Sequence, residues 1–299
     1  MADRVYDRKE MFLGDLATLT CAFLWGVSFM ATKEVLVYMG PLWLLTLRFG
    51  FSAFLIGIVS PRRIRHMTRR DGVRGGTIGL LLLVAMVLQT IGLQYTTTGK
   101  SAFITACCVV MVPFSTWAVA RKSPGLKPFI ASGICLVGIG IISLDGALRP
   151  GLGEMLTLMC AVGFALQIVA IDRLAQGRDA LTLSMVEMGL SAVACLIGAL
   201  IMEPLPRLDS LTGLWWLVYL SVGCTLIPYS LQIKAQQLTS PTHVTLLLMM
   251  ESVFAMIIGV IFLGEALTLR LVMGCGLIFV SILIAELDLI GWAKQRGET

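Results

Sequence analysis

Ten apolar segments follow one another along this chain with only short polar connections between them. They run over 12–33, 41–60, 75–95, 100–120, 127–144, 152–172, 181–202, 211–233, 242–263 and 268–289. A bilayer crossing needs about 20 mainly apolar residues in a helix, and each segment is close to that length. The pattern therefore predicts ten membrane-spanning helices. Glycine and proline punctuate the connections at Gly40-Pro41, Gly99, Pro124, Pro150-Gly151, Pro204, Pro206 and Pro241. Such short loops force neighbouring segments to run antiparallel.

The second five segments repeat the first five. A shift of 139 positions carries Gly14 onto Gly153, Thr18 onto Thr157, Cys21 onto Cys160 and Ala22 onto Ala161. The same shift carries Gly50 onto Gly189, Ser52 onto Ser191, Ala53 onto Ala192 and Ser101 onto Ser240. Five is odd, so two five-span halves must sit upside down relative to each other. The expected fold is an all-α membrane protein: residues 1–148 as one five-helix repeat and 149–299 as the second, inverted one, around a central cavity. Inverted repeats of this kind place solute sites near the bilayer midplane between the halves.

Composition agrees. The chain is 57% hydrophobic and 14% charged, against about 25% charged for soluble domains. The ten spans nearly exhaust its 299 residues, leaving no room for a separate soluble domain. The first apolar stretch is followed by no small-residue cleavage site at the usual distance, and reads as a retained helix. All eight cysteines lie within apolar segments, without metal-ligand spacing, and read as buried free thiols.

Charge sets the expected orientation. With the N-terminus in the cytoplasm, 17 Lys and Arg fall on the cytoplasmic side and 5 on the other, with Arg48 inside a span. That bias places both termini in the cytoplasm of an inner (plasma) membrane. The run PRRIRHMTRRDGVR reads as a topology determinant touching anionic lipid, not as a nucleic-acid site. Trp43, Trp117, Trp215, Trp216 and Trp292 fall at segment ends, where indoles anchor; Trp25 sits mid-span.

Polar groups inside the spans are the functional candidates, because charge at mid-bilayer costs at least ~2.5–3.5 kcal/mol. Arg48 lies in span 2, Glu187 in span 7 and Glu251 in span 9. Glu251, nine residues in, is roughly 14 Å deep. Arg48 and Glu187 occupy the same repeat position with opposite charge. Each of the three reads either as a helix-packing anchor or as a coupling charge. Span 3 carries Gln89 and Tyr95, and span 6 carries Phe164, the repeat mate of Trp25, beside Gln167. Span 8 carries Tyr229, Gln232 and Gln236 on one helical face. A polar stripe on a membrane helix faces protein or water, so these residues either bond between helices or line a cavity. His243 falls near a span end, where it can simply be solvated. Spans 5 and 10, studded with Gly133, Gly138, Gly140, Gly274 and Gly276, read as close-packed helices away from any pathway.

The second half, from PYSLQIKAQQL through MMESVF to FLGEAL and a glycine-rich last helix, resembles the EamA-type repeat of the drug/metabolite transporter superfamily. The first half carries the same frame, with FLWGVSFMATK and MVPFSTWAV. The resemblance covers residues 12–288 and extends, within the superfamily, to bacterial amino-acid exporters of the YddG type. Ser252 stands where the family often has proline, and Gly264-Glu265 has no counterpart in ARKSPGLKP. The resemblance implies a cavity walled by spans 1, 3, 4, 6, 8 and 9, with spans 5 and 10 stabilising. It also implies export or exchange of small organic metabolites.

The expected activity is thus secondary transport, amino acids being the leading cargo, by alternating access. Trp25, Gln89, Tyr95, Phe164, Gln167, Tyr229, Gln232 and Gln236 are the expected substrate contacts. Glu251 is a candidate for proton coupling, since a midplane carboxylate can load and release a proton as access alternates. No glycine-rich ATP loop is present; no cofactor, metal or nucleic acid is expected, and a monomer or weak dimer in the lipid bilayer is. The alternatives are a membrane channel, which lacks its symmetric filter rings here, and a membrane-embedded enzyme, which lacks a nucleophile–base motif.

Overall fold

The computed structural model describes residues 8–120, 126–143, 151–206, 210–238 and 247–286. Among these residues it holds helices and no strand. The first half forms α1 (Arg8–Leu36), α2 (Pro41–Val59), the short α3 (Pro61–His66), α4 (Arg69–Leu93), α5 (Thr98–Ala106), α6 (Cys108–Ala120) and α7 (Lys127–Ser143). The second forms α8 (Leu152–Leu174), α9 (Ala180–Met202), α10 (Leu211–Ser221), a π-helical turn (Val222–Leu226), α11 (Ile227–Leu238), α12 (Met250–Leu263) and α13 (Leu269–Glu286). Seven stretches are long and apolar enough to cross a membrane. Three shorter apolar helices, Phe129–Ile142, Met250–Leu263 and Leu269–Ile284, supply the fifth, ninth and tenth spans.

Three spans differ from the sequence pattern. The third begins at Arg69, not 75, because a capping box starts it inside the polar run. The Thr68 hydroxyl accepts from the Asp71 N–H at 3.2 Å, and the Asp71 carboxylate accepts from the Thr68 N–H at 3.0 Å. The fourth is two helices, α5 and α6, meeting at Cys107, whose N–H bonds back three residues to Ile104 O at 3.1 Å. The eighth is interrupted by the π turn. The start of the ninth, with His243, lies outside the described residues.

Packing follows the repeat. α2 lies along α9, and α7 along α13, each helix against its own repeat mate. α4 packs on α8 as α11 packs on α1, and α1 packs on α12 as α8 packs on α5 and α6. These contacts exchange the halves, as a two-fold relation between inverted repeats requires. Individual bonds repeat as well. Thr18 donates to Gly14 O at 2.8 Å and Thr157 to Gly153 O at 2.7 Å. Ser52 on α2 reaches the backbone of the eighth span at Ser221 O, 2.6 Å; its mate Ser191 on α9 reaches the third at Gly79 O, 3.2 Å.

Lipid gives helices little hydrophobic reason to associate, so close backbone approach and hydrogen bonds hold the bundle. At the crossing of α7 and α13, a Cβ on Gly138 or on Gly274 would lie 2.9 Å from the other's carbonyl oxygen. Only glycine fits there, which gives the fifth and tenth spans their structural character. The outer surface is apolar: Phe54, Ile201 and Leu211 are all exposed. Water would penalise such surface at about 25 cal/mol per Å²; hydrocarbon does not.

At the face opposite α3, three glutamates of the second half tie down the first. Glu203 accepts from the N–H groups of Leu42 and Trp43 at 2.9 and 3.0 Å, capping α2. Glu265 accepts from Thr98 and Gly99 N–H at 2.7 and 3.1 Å, capping α5. Glu154 pairs with Lys100 at 3.3 Å. Carboxylates are favoured at helix N-termini, where N–H groups lack internal partners.

Candidate functional site

The break in the eighth span organises the site. Pro228 has no N–H, so it cannot bond the carbonyl of Cys224 four residues earlier. The helix widens: Ile227 N–H reaches back five residues to Val222 O, and the Thr225 hydroxyl donates to Leu220 O at 2.8 Å. Two neighbouring spans then fill the open acceptor. Trp25 Nε1 on α1 and Arg48 Nη2 on α2 both donate to Cys224 O, each at 3.0 Å. Arg48 Nε also donates to Thr225 Oγ1. Arg48 is only 2% exposed, and a buried guanidinium is tolerable when its N–H groups are bonded in this way. Single π turns within α-helices recur at functional sites.

Beside this break lies a cavity of about 690 Å³, counting its opening. α1, α2, α4, α5, α6, α8, α11 and α12 line it; α7, α9 and α13 contribute no lining residue. Aromatic wall comes from Trp25, Phe164 and Tyr229, the first and last with ring centres 5.1 Å apart. The Tyr229 hydroxyl contacts Met86 Sδ at 3.4 Å. Polar wall comes from Ser28, Gln89, Thr105, Gln167 and Gln232. Gln89 Nε2 donates to Thr105 Oγ1 at 3.2 Å. Gln232 is 4% exposed, and its Oε1 has no partner among the described residues. Arg48 and Glu251 bring opposite charges to the same wall. No ion pair or hydrogen bond joins the two.

Six of the eight residues singled out from the sequence as contacts meet here: Trp25, Gln89, Phe164, Gln167, Tyr229 and Gln232. Tyr95 does not. α4 ends at Leu93, and Tyr95 sits 59% exposed in the turn beyond it. The side chain of Gln236 lies outside the described residues. Of the three charges, Arg48 and Glu251 face the cavity, whereas Glu187 stands behind its wall and accepts from Gln167 Nε2 at 2.8 Å. Sequence reasoning passed over Ser28 and Thr105. Ser28 carried a usable signal, being the repeat mate of Gln167. Thr105 carried none, since a threonine in an apolar segment most often bonds its own helix.

Comparison with known families matches residues 12–144 and, separately, residues 151–287 to the EamA-like transporter family. This chain belongs to that family. The two matched blocks are the two halves of the helical repeat. An uncharacterized transporter of Archaeoglobus fulgidus is 27% identical over 274 residues, covering 91% of this chain and 85% of that protein. The uncharacterized transporter YvbV of Bacillus subtilis is 25% identical over 279 residues, 90% of each chain. A solved crystal structure superposes on 96% of this chain and 99% of its own with a TM-score of 0.67 at 16% identity, a likeness of fold alone. Membership of the EamA-like family makes the protein a multi-pass membrane transporter of small molecules, and not an enzyme.

Proposed function

We propose that this EamA-like protein is a secondary transporter of small zwitterionic metabolites, amino acids foremost, working by alternating access of the cavity between its repeats. One observation carries the reading: Arg48 and Glu251 face one cavity with opposite charge and form no ion pair with each other. A solute with a carboxylate and an ammonium group satisfies both. Arg48 is held by two bonds to the eighth span and offers its remaining guanidinium nitrogen to a carboxylate. Glu251 suits an ammonium, and the open Gln232 Oε1 accepts a further N–H. Trp25, Phe164 and Tyr229 take the solute's apolar part. A polyanion would meet Glu251 at close range, which disfavours sugar phosphates and nucleotides.

Glu251 also serves as the coupling group in this reading. A carboxylate inside the bundle is costly to keep charged without a partner, so it exchanges a proton or an ammonium as access alternates. The protein sits in the plasma membrane with both termini cytoplasmic, the orientation that the 17-to-5 distribution of basic residues favours.

Two variants test the site. Arg48→Gln should weaken uptake of an amino acid far more than uptake of its uncharged-carboxyl amide. Glu251→Gln should abolish accumulation driven by a pH gradient, while solute exchange, weakened by the lost ammonium contact, continues. Equal effects of Arg48→Gln on acid and amide would remove Arg48 from the site, and accumulation intact in Glu251→Gln would remove Glu251 from coupling.

A further inference from the structure

We propose that Pro228 is a positioning residue for transport: by withholding one backbone N–H, it keeps the Cys224 carbonyl open to fix Arg48 and Trp25 in the cavity wall. The proposal rests on reading the cavity as the solute site.

The argument begins with acceptor capacity. A carbonyl oxygen has two lone pairs, and on Cys224 both are engaged, by Trp25 Nε1 and Arg48 Nη2. Any residue other than proline at 228 would bring an N–H four residues along, at the spacing of the helical bond. Three donors cannot share that oxygen with good geometry, so the incoming N–H would shift both Trp25 and Arg48 from their present places. Pro228 itself is anchored from the other side, its own carbonyl accepting the Cys21 thiol of α1 at 3.3 Å. The proline is thus held where its missing donor counts.

The molecule contains its own comparison. The repeat mate of Pro228 is Gln89, which has an N–H, and there α4 runs as unbroken α-helix from Arg69 to Leu93. The mates of Trp25 and Arg48 are Phe164 and Glu187, and neither side chain carries an N–H. Facing the proline, the opposite half carries two donors aimed at the freed carbonyl; facing Gln89, the corresponding positions of the opposite half carry none. A proline needed only to bend the helix would not call for donors at both positions.

The test uses the full-length protein in proteoliposomes. Pro228→Ala restores the N–H. The KM for a transported amino acid should rise about tenfold, the scale of one lost charge-assisted bond, with maximal rate little changed. The melting temperature should stay near that of the unsubstituted protein, because the backbone bond gained offsets the side-chain bonds lost. In a variant whose only tryptophan is Trp25, the emission maximum should shift in Pro228→Ala and in Pro228→Gly alike, since both add the same donor. An unshifted Trp25 emission overturns the proposal whatever the transport shows. So does an unchanged KM, or a KM that rises together with a lower melting temperature, the mark of general distortion. Absence of amino-acid transport in the unsubstituted protein would instead defeat the solute reading, with the Trp25 emission still deciding the role of Pro228.

Discussion

Gln167 on the cavity wall donates its side-chain amide to Glu187, a carboxylate with no exposed surface, at 2.8 Å. The other carboxylate oxygen, Oε2, has no partner among the described residues. Gly79 of α4 passes directly against the backbone of Glu187; a Cβ there would meet Glu187 O at 2.8 Å. Gln167→Leu should therefore strip a buried acid of its donor, lowering stability on the order of 1–3 kcal/mol. Glu187→Gln keeps the shape and removes the acid, and should cost less. Melting in detergent compares them; a larger loss in Glu187→Gln would show that the charge itself holds the helices.

Glu265 ties the two halves at the face opposite α3, through α5 and through Lys33 of α1 at 3.6 Å. In the proposed alternating-access cycle, opening through that face would break this tie once per turn. Glu265→Ala should then raise the reactivity of Cys108, a cavity residue, toward an impermeant thiol reagent added on that side. Unchanged reactivity would make Glu265 a helix cap without a part in opening.

Orientation has its own test. Cysteines substituted for Arg69, at the start of α4, and for Arg207, outside the described residues, should label from opposite sides of the membrane. Labelling from the same side would contradict an odd number of spans between them and the inverted relation of the halves.

The spans were legible because a bilayer imposes both length and composition on whatever crosses it, and the repeat because mates such as Ser52 and Ser191 still make matching bonds. The cavity was largely legible too: a stripe such as Tyr229 and Gln232 has nowhere to face but protein or water. Depth was less legible. Tyr95 was placed in the pathway by a span drawn two residues too long, enough to carry a side chain from the wall to the surface. The π turn was hidden for a different reason. Pro228 is visible in the sequence, but whether proline kinks, ends or widens a helix depends on which neighbours satisfy the freed carbonyl, and Trp25 and Arg48 lie about 200 and 180 positions away along the chain. The ties made by Glu203, Glu154 and Glu265 likewise join residues that only the tertiary fold brings together.

The central claim is that solute passes through the cavity as a zwitterion held between Arg48 and Glu251. Counterflow in proteoliposomes measures it most directly: vesicles loaded with one unlabelled amino acid are diluted into a trace of the same labelled compound, across a panel that includes the matching amides and amines. The account predicts saturable counterflow of intact amino acids, faster than that of analogues lacking either charge, and sharply reduced in Arg48→Gln. Counterflow that ignores the loss of the carboxylate or of the ammonium group, or non-saturable conductance in its place, would contradict it.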